Sequence, residues 1–184
     1  QLLAVINDIL DISKIQSGRY TIDHSEVHVD DVLAACVASS KLAADDAQVS
    51  LALYVDASLS TVRGDITKLR QIFANLLSNA IKFTKPGGKV KVDANRTNDG
   101  GTLVTVEDTG VGMSAEEIEI SLTPFGQVDG KRTRWREGTG LGLPIAKSLV
   151  ELHGGRLEIK SRKEEGTTVA VFLPSRHLVS GTTR

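Results

Sequence analysis

Apolar residues recur along this chain in two rhythms, one helical and one alternating, with breakers between them. Leu2, Leu3, Val5, Ile6, Ile9, Leu10, Ile12 and Ile15 form a wide helical stripe that Gly18 stops. A helix this short and this apolar needs a partner, from upstream chain or a second copy, as in a helical hairpin or dimer bundle. Tyr20 to His24 alternates weakly and reads as a short strand or a linker. Asp30 or Asp31 can cap a second helix carrying Val32, Leu33, Cys36, Val37, Leu42 and Ala43 on its apolar face. Val49, Leu51, Leu53 and Val55 alternate strictly as a strand, and Thr61 to Gly64 reads as another short one.

The strongest helix follows, from Asp65 to Thr84. Ile66, Leu69, Ile72, Phe73, Leu76, Leu77 and Ala80 repeat at helical spacing, Asp65 is a good N-cap, and Lys85-Pro86-Gly87-Gly88 breaks the run. Val90, Val92 and Ala94 alternate, Asn98 to Gly101 signals a hairpin, and Leu103, Val104 and Val106 return. Ser114-Ala-Glu-Glu opens a short helix through a capping box. Thr123 to Thr139 holds no period and is rich in Gly, Lys and Arg, which predicts a mobile loop. Leu141 to Leu152 is a helix with Pro144 tolerated in its first turn, and His153-Gly154-Gly155 ends it. Leu157 and Ile159, then Val169, Val171 and Leu173, form a last hairpin across Lys163 to Gly166, and the tail from Ser175 is polar. The order predicts an α+β fold, a two-layer sandwich with helices on one face of a mixed, mainly antiparallel sheet.

Composition narrows the possibilities. The 184 residues fit one domain plus an appendage, with 40% apolar and 24% charged positions as in an ordinary globular protein. A formal charge of −1 and 4% aromatics provide neither a nucleic-acid-binding surface nor a base-stacking platform. The lone Cys36 has no partner for an internal disulfide and reads as a small core residue, compatible with a reducing compartment. No run of about 18 apolar residues occurs, so no membrane span is expected. With no initiator Met and a helical pattern already running at Gln1, the chain reads as a piece of something longer.

Four stretches carry candidate chemistry. On the Asp65 helix, Asn79 lies about 40° and Lys82 about 20° around the axis from Asn75, so the three share a narrow polar stripe. Two neutral carboxamides and an ammonium suit a metal ion and a polyphosphate; a solvated helix face is the plain alternative. Asp108-Thr109-Gly110-Val111-Gly112 ends an apolar strand. A carboxylate there can accept a hydrogen bond from an exocyclic amine, although an Asp-Gly turn is commonly just a turn. Gly138-Thr139-Gly140-Leu141-Gly142 opens a helix, whose N-terminal N–H groups favour phosphate. It matches neither the Walker loop nor the dinucleotide fingerprint. Between them Lys131, Arg132, Arg134 and Arg136 form either a solvated loop or a lid reaching a terminal phosphate.

Taken in order and spacing, NLLSNAIKFT, DTGVGM, TPFGQVDG and GTGLGL resemble the N, first glycine, F and second glycine boxes of sensor histidine kinases, which carry the ATP-binding fold shared with gyrase, Hsp90 and MutL. The resemblance covers about residues 50 to 174, and the opening ILDISKIQSG resembles the end of the second helix of their dimerisation and histidine-phosphotransfer domain. It implies ATP and Mg²⁺, with Asn79 as principal metal ligand, Asn75 assisting, Lys82 on phosphate and Phe83 packed on adenine. Asp108 would bind the adenine amino group, and Gly110 and Gly112 would shape the pocket. Gly138, Thr139, Gly140, Leu141 and Gly142 would cradle phosphates and hinge the lid, Arg134 would steady the γ-phosphate, and Phe125 would anchor the lid. Thr123 replaces a common acidic residue and Pro144 a common Ala, neither at an implied metal or adenine contact.

The implied organisation is a dimerisation-helix end over residues 1–18, a linker over 19–29, a catalytic domain over 30–176 and a polar tail over 177–184. Implied partners are the chain's own dimerisation domain, a second subunit and a response-regulator receiver domain; nucleic acid and membrane are not expected to contact this stretch. A cytoplasmic location follows, with a parent that can be membrane-anchored. The family's phosphoacceptor is a His followed by an acidic residue, whereas His24, His28, His153 and His177 precede Ser, Val, Gly and Leu. None matches, so the acceptor is expected outside this chain. His153 is expected as a helix C-terminal residue favoured by the dipole, and the other three as exposed. A pseudokinase module, an Hsp90-like or MutL-like ATPase and a purely structural partner-binding domain are the competing readings.

Overall fold

The computed structural model describes residues 2–59, 61–126 and 139–175. Its elements run α1 (Leu2–Gln16), β1 (Ser25–Val27), α2 (Val29–Asp46), β2 (Ser50–Val55), β3 (Val62–Gly64), α3 (Ile66–Phe83), β4 (Lys89–Arg96), β5 (Thr102–Asp108), α4 (Ala115–Ser121), α5 (Gly142–Leu152), β6 (Arg156–Arg162) and β7 (Gly166–Leu173). Five strands form one sheet in the order β2-β4-β5-β7-β6. Only β2–β4 is parallel; the β4–β5, β5–β7 and β6–β7 pairs are antiparallel. That is the mixed, mainly antiparallel α+β sheet expected. The parallel step exists because the chain leaves β2, passes through β3 and α3, and returns beside β2 as β4, the crossover a parallel pair requires.

Helix α3 lies at the centre of the helical layer. Leu69, Ile72, Phe73 and Leu77 are fully buried, and they share one core with Val90, Val92, Ala94, Val104 and Val106 of the hairpin and Ile145, Ala146, Leu149 and Val150 of α5. Each of the larger side chains contributes about 1.5–3 kcal/mol through burial. Asp65 caps the helix as expected, accepting the N–H groups of Thr67 and Lys68 at 2.9 and 3.2 Å. Ile66, expected on the apolar face, is 43% exposed because it sits at the first helical position, ahead of the packed turns.

Further departures lie along α2 and in the segment before it. Helix α2 starts at Val29 with His28 in the cap position and no side-chain cap bond. Asp30 and Asp31 are therefore not caps; they occupy the first turn, where carboxylates complement the dipole. Leu42 points about 120° away from Cys36 and is exposed, while Ala44 takes its place in the core. Ala43 is exposed along an open groove between α2 and α3.

The stretch expected as a linker contains β1, which pairs antiparallel with β3 and places Val27 and Val29 in the core. On α1, Ile12 is buried whereas Leu3, Ile6, Ile9 and Leu10 are exposed, the stripe for which the sequence expects a partner. Asp11 ties this helix to α3: its carboxylate accepts from Gln71 Nε2 at 2.9 Å and from the Tyr20 hydroxyl at 3.3 Å. Lys68 Nζ lies 4.9 Å from the centroid of the same Tyr20 ring. Helix α4 has the expected capping box, Ser114 accepting from Glu117 N–H while the Glu117 carboxylate accepts from Ser114 N–H. Most of the predicted loop, with Lys131, Arg132, Arg134, Arg136 and Gly138, lies outside the described residues, as does His177.

Candidate functional site

Three segments meet beside the polar stripe of α3. Asn75, Asn79 and Lys82 are all half-buried. Asn75 Nδ2 donates to the Gly142 carbonyl at 3.0 Å, fastening the stripe to the first residue of α5 and leaving Oδ1 as the amide's acceptor. Asn79 is one helical turn further on. Lys82 is turned differently from the two amides: its Nζ lies 5.0 Å from the Phe83 ring centroid. It also lines the groove of about 540 Å³ between α2 and α3, together with Ser39, Ser40, Asp46, Gln48 and Ser78. The stripe is thus one amide fastened to α5, a second one turn further along and a lysine at the border with α2.

The loop after β5 packs against the C-terminal end of this helix. Val111 N–H donates to the Phe83 carbonyl at 3.2 Å, and Glu164 N–H, from the β6–β7 turn, donates to the Val111 carbonyl at 2.8 Å. Asp108 is 9% exposed, and its Oδ1 accepts the Gly110 N–H at 2.8 Å. Burial pushes this carboxyl above the usual carboxylate range, and the N–H groups of Gly110 and Thr167 work the other way. A desolvated carboxylate with one oxygen fixed by backbone is an acceptor aimed by its other oxygen.

The glycines here have structural causes that the sequence reading did not contain. A Cβ on Gly110 would fall 2.5 Å from the Phe83 carbonyl oxygen. On Gly112, at φ +63°, it would fall 1.7 Å from the Arg162 carbonyl oxygen. Gly166 closes the same junction from the opposite side, with a Cβ position 1.9 Å from the Asp108 carbonyl oxygen. Sequence reasoning missed Gly166; its only local signal is the Glu-Glu-Gly turn between two strands.

At the head of α5, Thr139 Oγ1 accepts the Leu141 N–H at 3.3 Å, and the Gly140 carbonyl accepts the Phe125 N–H at 3.2 Å. Phe125 is 60% exposed at φ +63°, so among the described residues it contributes backbone rather than a buried ring. A Cβ on Gly142 would only touch Asn75 at 3.6 Å, an ordinary contact, so packing alone does not require glycine there. Gly142 and Leu143 provide N–H groups at the positive end of the helix, and Pro144 provides none.

His153 is the C-cap of α5, as expected, but it is not a cation held by the helix dipole. It is 4% exposed, and burial holds its pKa below the ordinary imidazole value. Its Nε2 accepts the Asp65 N–H at 3.1 Å while Nδ1 meets the Leu149 carbonyl at 2.7 Å, so the ring is neutral and built into the core. His24 and His28 are exposed, as expected. No helix among the described residues is long and apolar enough to cross a membrane.

The family model described as histidine kinase-, DNA gyrase B-, and HSP90-like ATPase matches residues 64–177. An uncharacterized sensor-like histidine kinase of Rhizobium meliloti (strain 1021) is 43% identical over 175 residues, which are 95% of this chain and 33% of that protein. The cell-division control histidine kinase PdhS of Brucella abortus (strain S19) is 36% identical over 181 residues, 94% of this chain and 18% of that protein. The chain thus spans about a fifth to a third of the length of these curated relatives. Full-length ShkA in complex with AMPPNP superposes with a TM-score of 0.82 at 27% identity, over 94% of this chain and 35% of ShkA. The mycobacterial sensor histidine kinase MprB superposes at 0.70 and 27% identity, over 83% of this chain and 98% of the solved MprB chain. By its sequence and its mixed five-stranded sheet, the chain belongs to the histidine kinase-, DNA gyrase B- and HSP90-like ATPase family, in which the Rhizobium and Brucella relatives and MprB are named histidine kinases.

Proposed function

We propose that this chain is the catalytic, ATP·Mg²⁺-binding part of a sensor histidine kinase. It transfers the γ-phosphoryl group of ATP to a histidine outside the chain, for onward transfer to a response-regulator aspartate. The observation that carries this reading is the convergence on α3 of two otherwise unrelated segments, the Asp108 loop at Phe83 and the head of α5 at Asn75. In it, Asp108 accepts from the adenine amine and the Phe83 ring packs on the base. Asn79, helped by Asn75, presents amide oxygen to the metal, and Thr139, Gly140, Leu141 and Gly142 face the phosphates. Lys82, which here lies over Phe83 at the α2 border, swings its long stem back to reach a phosphate when nucleotide binds. Arg134 and Gly138 complete the set on the order of the motifs alone. Two neutral amides fit a hard cation that also takes oxygens from phosphate and water; they are too few and uncharged for an all-protein cage. When bound, Mg²⁺ offsets charge on the phosphates.

The protein's share of the chemistry is positioning. An incoming imidazole nitrogen attacks the γ-phosphorus, the bond to the β-bridging oxygen breaks, and ADP leaves. Its nucleophile comes from a dimerisation domain whose second helix ends at residues 1–18, in the same or the other subunit. Residues 30–176, with β1 joined to them, form the catalytic domain, and the whole works in the cytoplasm.

The test supplies the missing acceptor helix domain with labelled ATP·Mg²⁺. Acid-labile phosphate on the added histidine, lost with Asn79→Ala, is the expected result. Tight ATP binding without transfer by the wild type would leave a nucleotide-binding pseudokinase and overturn the kinase assignment. An unchanged melting temperature at a hundredfold excess over any plausible dissociation constant, where about 2.7 kcal/mol of stabilisation is expected, would overturn nucleotide binding itself.

A further inference from the structure

The α3–α5 pair is fastened at two points. One is Asn75 on Gly142, at the proposed phosphate end. The other lies about 15 Å away along the helix axes, where a buried histidine unused by the chemistry, the C-cap of α5, meets the N-cap of α3. His153 Nδ1 is 2.7 Å from the Leu149 carbonyl and must donate to it, so Nε2 holds a lone pair. That lone pair accepts the backbone N–H of Asp65 at 3.1 Å. Asp65 in turn gathers three N–H groups on its carboxylate: Thr67 and Lys68 of α3, and Asp23 of the segment before β1. The ring occupies space that exists only because residue 64 is glycine, since a Cβ there would fall 2.6 Å from His153 Cδ2.

We infer that neutral His153 is a positioning residue, fixing α3 against α5 and thereby the separation of Asn75 and Asn79 from the α5 N-terminus. Its effect on nucleotide rests on the site proposed above; the joint itself does not. A proton on Nε2 would turn an acceptor into a donor facing the Asp65 N–H, and the contact would open. Burial is the largest influence and opposes the proton; the Leu149 carbonyl and Asp65 favour it, and the titratable His24 opposes it. Because the folded pKa is depressed, the joint's contribution is complete above the ordinary imidazole value and is lost as pH falls through the folded one.

The experiment measures AMPPNP·Mg²⁺ affinity from about pH 7.5 down through the ring's own titration, followed by NMR, for the wild type, His153→Gln and His153→Leu. Gln can accept from the Asp65 N–H and does not titrate; Leu cannot accept. Acidification is expected to weaken the wild type about three- to tenfold more than His153→Gln, the worth of one hydrogen bond. His153→Leu is expected to bind weakly at both ends of the range. Equal acid sensitivity in the wild type and His153→Gln overturns the inference. Should a variant fail to fold, nitrogen-detected NMR of the wild type decides: the Nδ1–H tautomer with an Asp65 amide that titrates with the ring supports the joint. An Asp65 amide indifferent to the ring's titration overturns it. Absence of nucleotide binding at every pH would refute the proposed site and leave this NMR result to judge the joint separately.

Discussion

Asp108→Asn is expected to lose nucleotide affinity about ten- to hundredfold while leaving the fold as stable as before, or more stable. The two effects separate because they come from different properties of one side chain. Binding depends on the oxygen not held by Gly110 N–H. In Asn, the backbone N–H keeps the amide oxygen, so the NH₂ group is presented to the adenine amine, donor against donor. An unmade, opposed hydrogen bond in a desolvated site costs about 1–3 kcal/mol. Stability responds with the other sign. Burial raises the Asp108 pKa, so the ionised carboxylate disfavours the folded state at neutral pH, and this penalty fades as pH falls through the raised value. The neutral amide removes it. Titration calorimetry with ATP·Mg²⁺ beside urea unfolding reads both quantities. Loss of stability together with affinity would make Asp108 a structural residue and nothing more.

Gly112→Ala is expected to damage the fold itself, by about 4 kcal/mol or more. Two costs coincide. At φ +63° an L side chain is strained by about 1–2 kcal/mol. Its Cβ would also meet the Arg162 carbonyl oxygen at 1.7 Å, and that oxygen belongs to strand β6 and cannot swing aside. The β5 loop and the β6–β7 hairpin would have to part, taking Asp108 and the Phe83–Val111 contact with them. Denaturant unfolding measures the loss; a variant within about 1 kcal/mol of wild type would mean that the loop relaxes freely.

These two positions mark where local pattern suffices and where it does not. The cap, stripe and breaker of α3 are encoded within its own residues, and so the helix, its buried face and the Asn75/Asn79 pair were legible. The hairpins were legible for the same reason, since turn residues and alternation are local. What Gly112 must avoid belongs to Arg162, a distant strand, and no spacing within Asp-Thr-Gly-Val-Gly announces it. His153 ends a helix, as the Gly154 and Gly155 after it announce, but its burial is decided by Gly64 and Asp65, from another part of the chain. Leu42 lies about 120° around α2 from Cys36, off the buried face, and Ala43 borders the groove that α2 leaves open against Ser78, Ile81 and Lys82 of α3.

The central claim is that α3, the Asp108 loop and the head of α5 act as one nucleotide pocket. Backbone amide shifts of the chain, recorded with and without AMPPNP·Mg²⁺, test it most directly. Concerted changes over Asn75–Phe83, Asp108–Gly112 and Thr139–Leu143 are the predicted result. Changes confined to the α2 side of the groove, at Ser39, Ser40 and Gln48, or no changes at all, would contradict it.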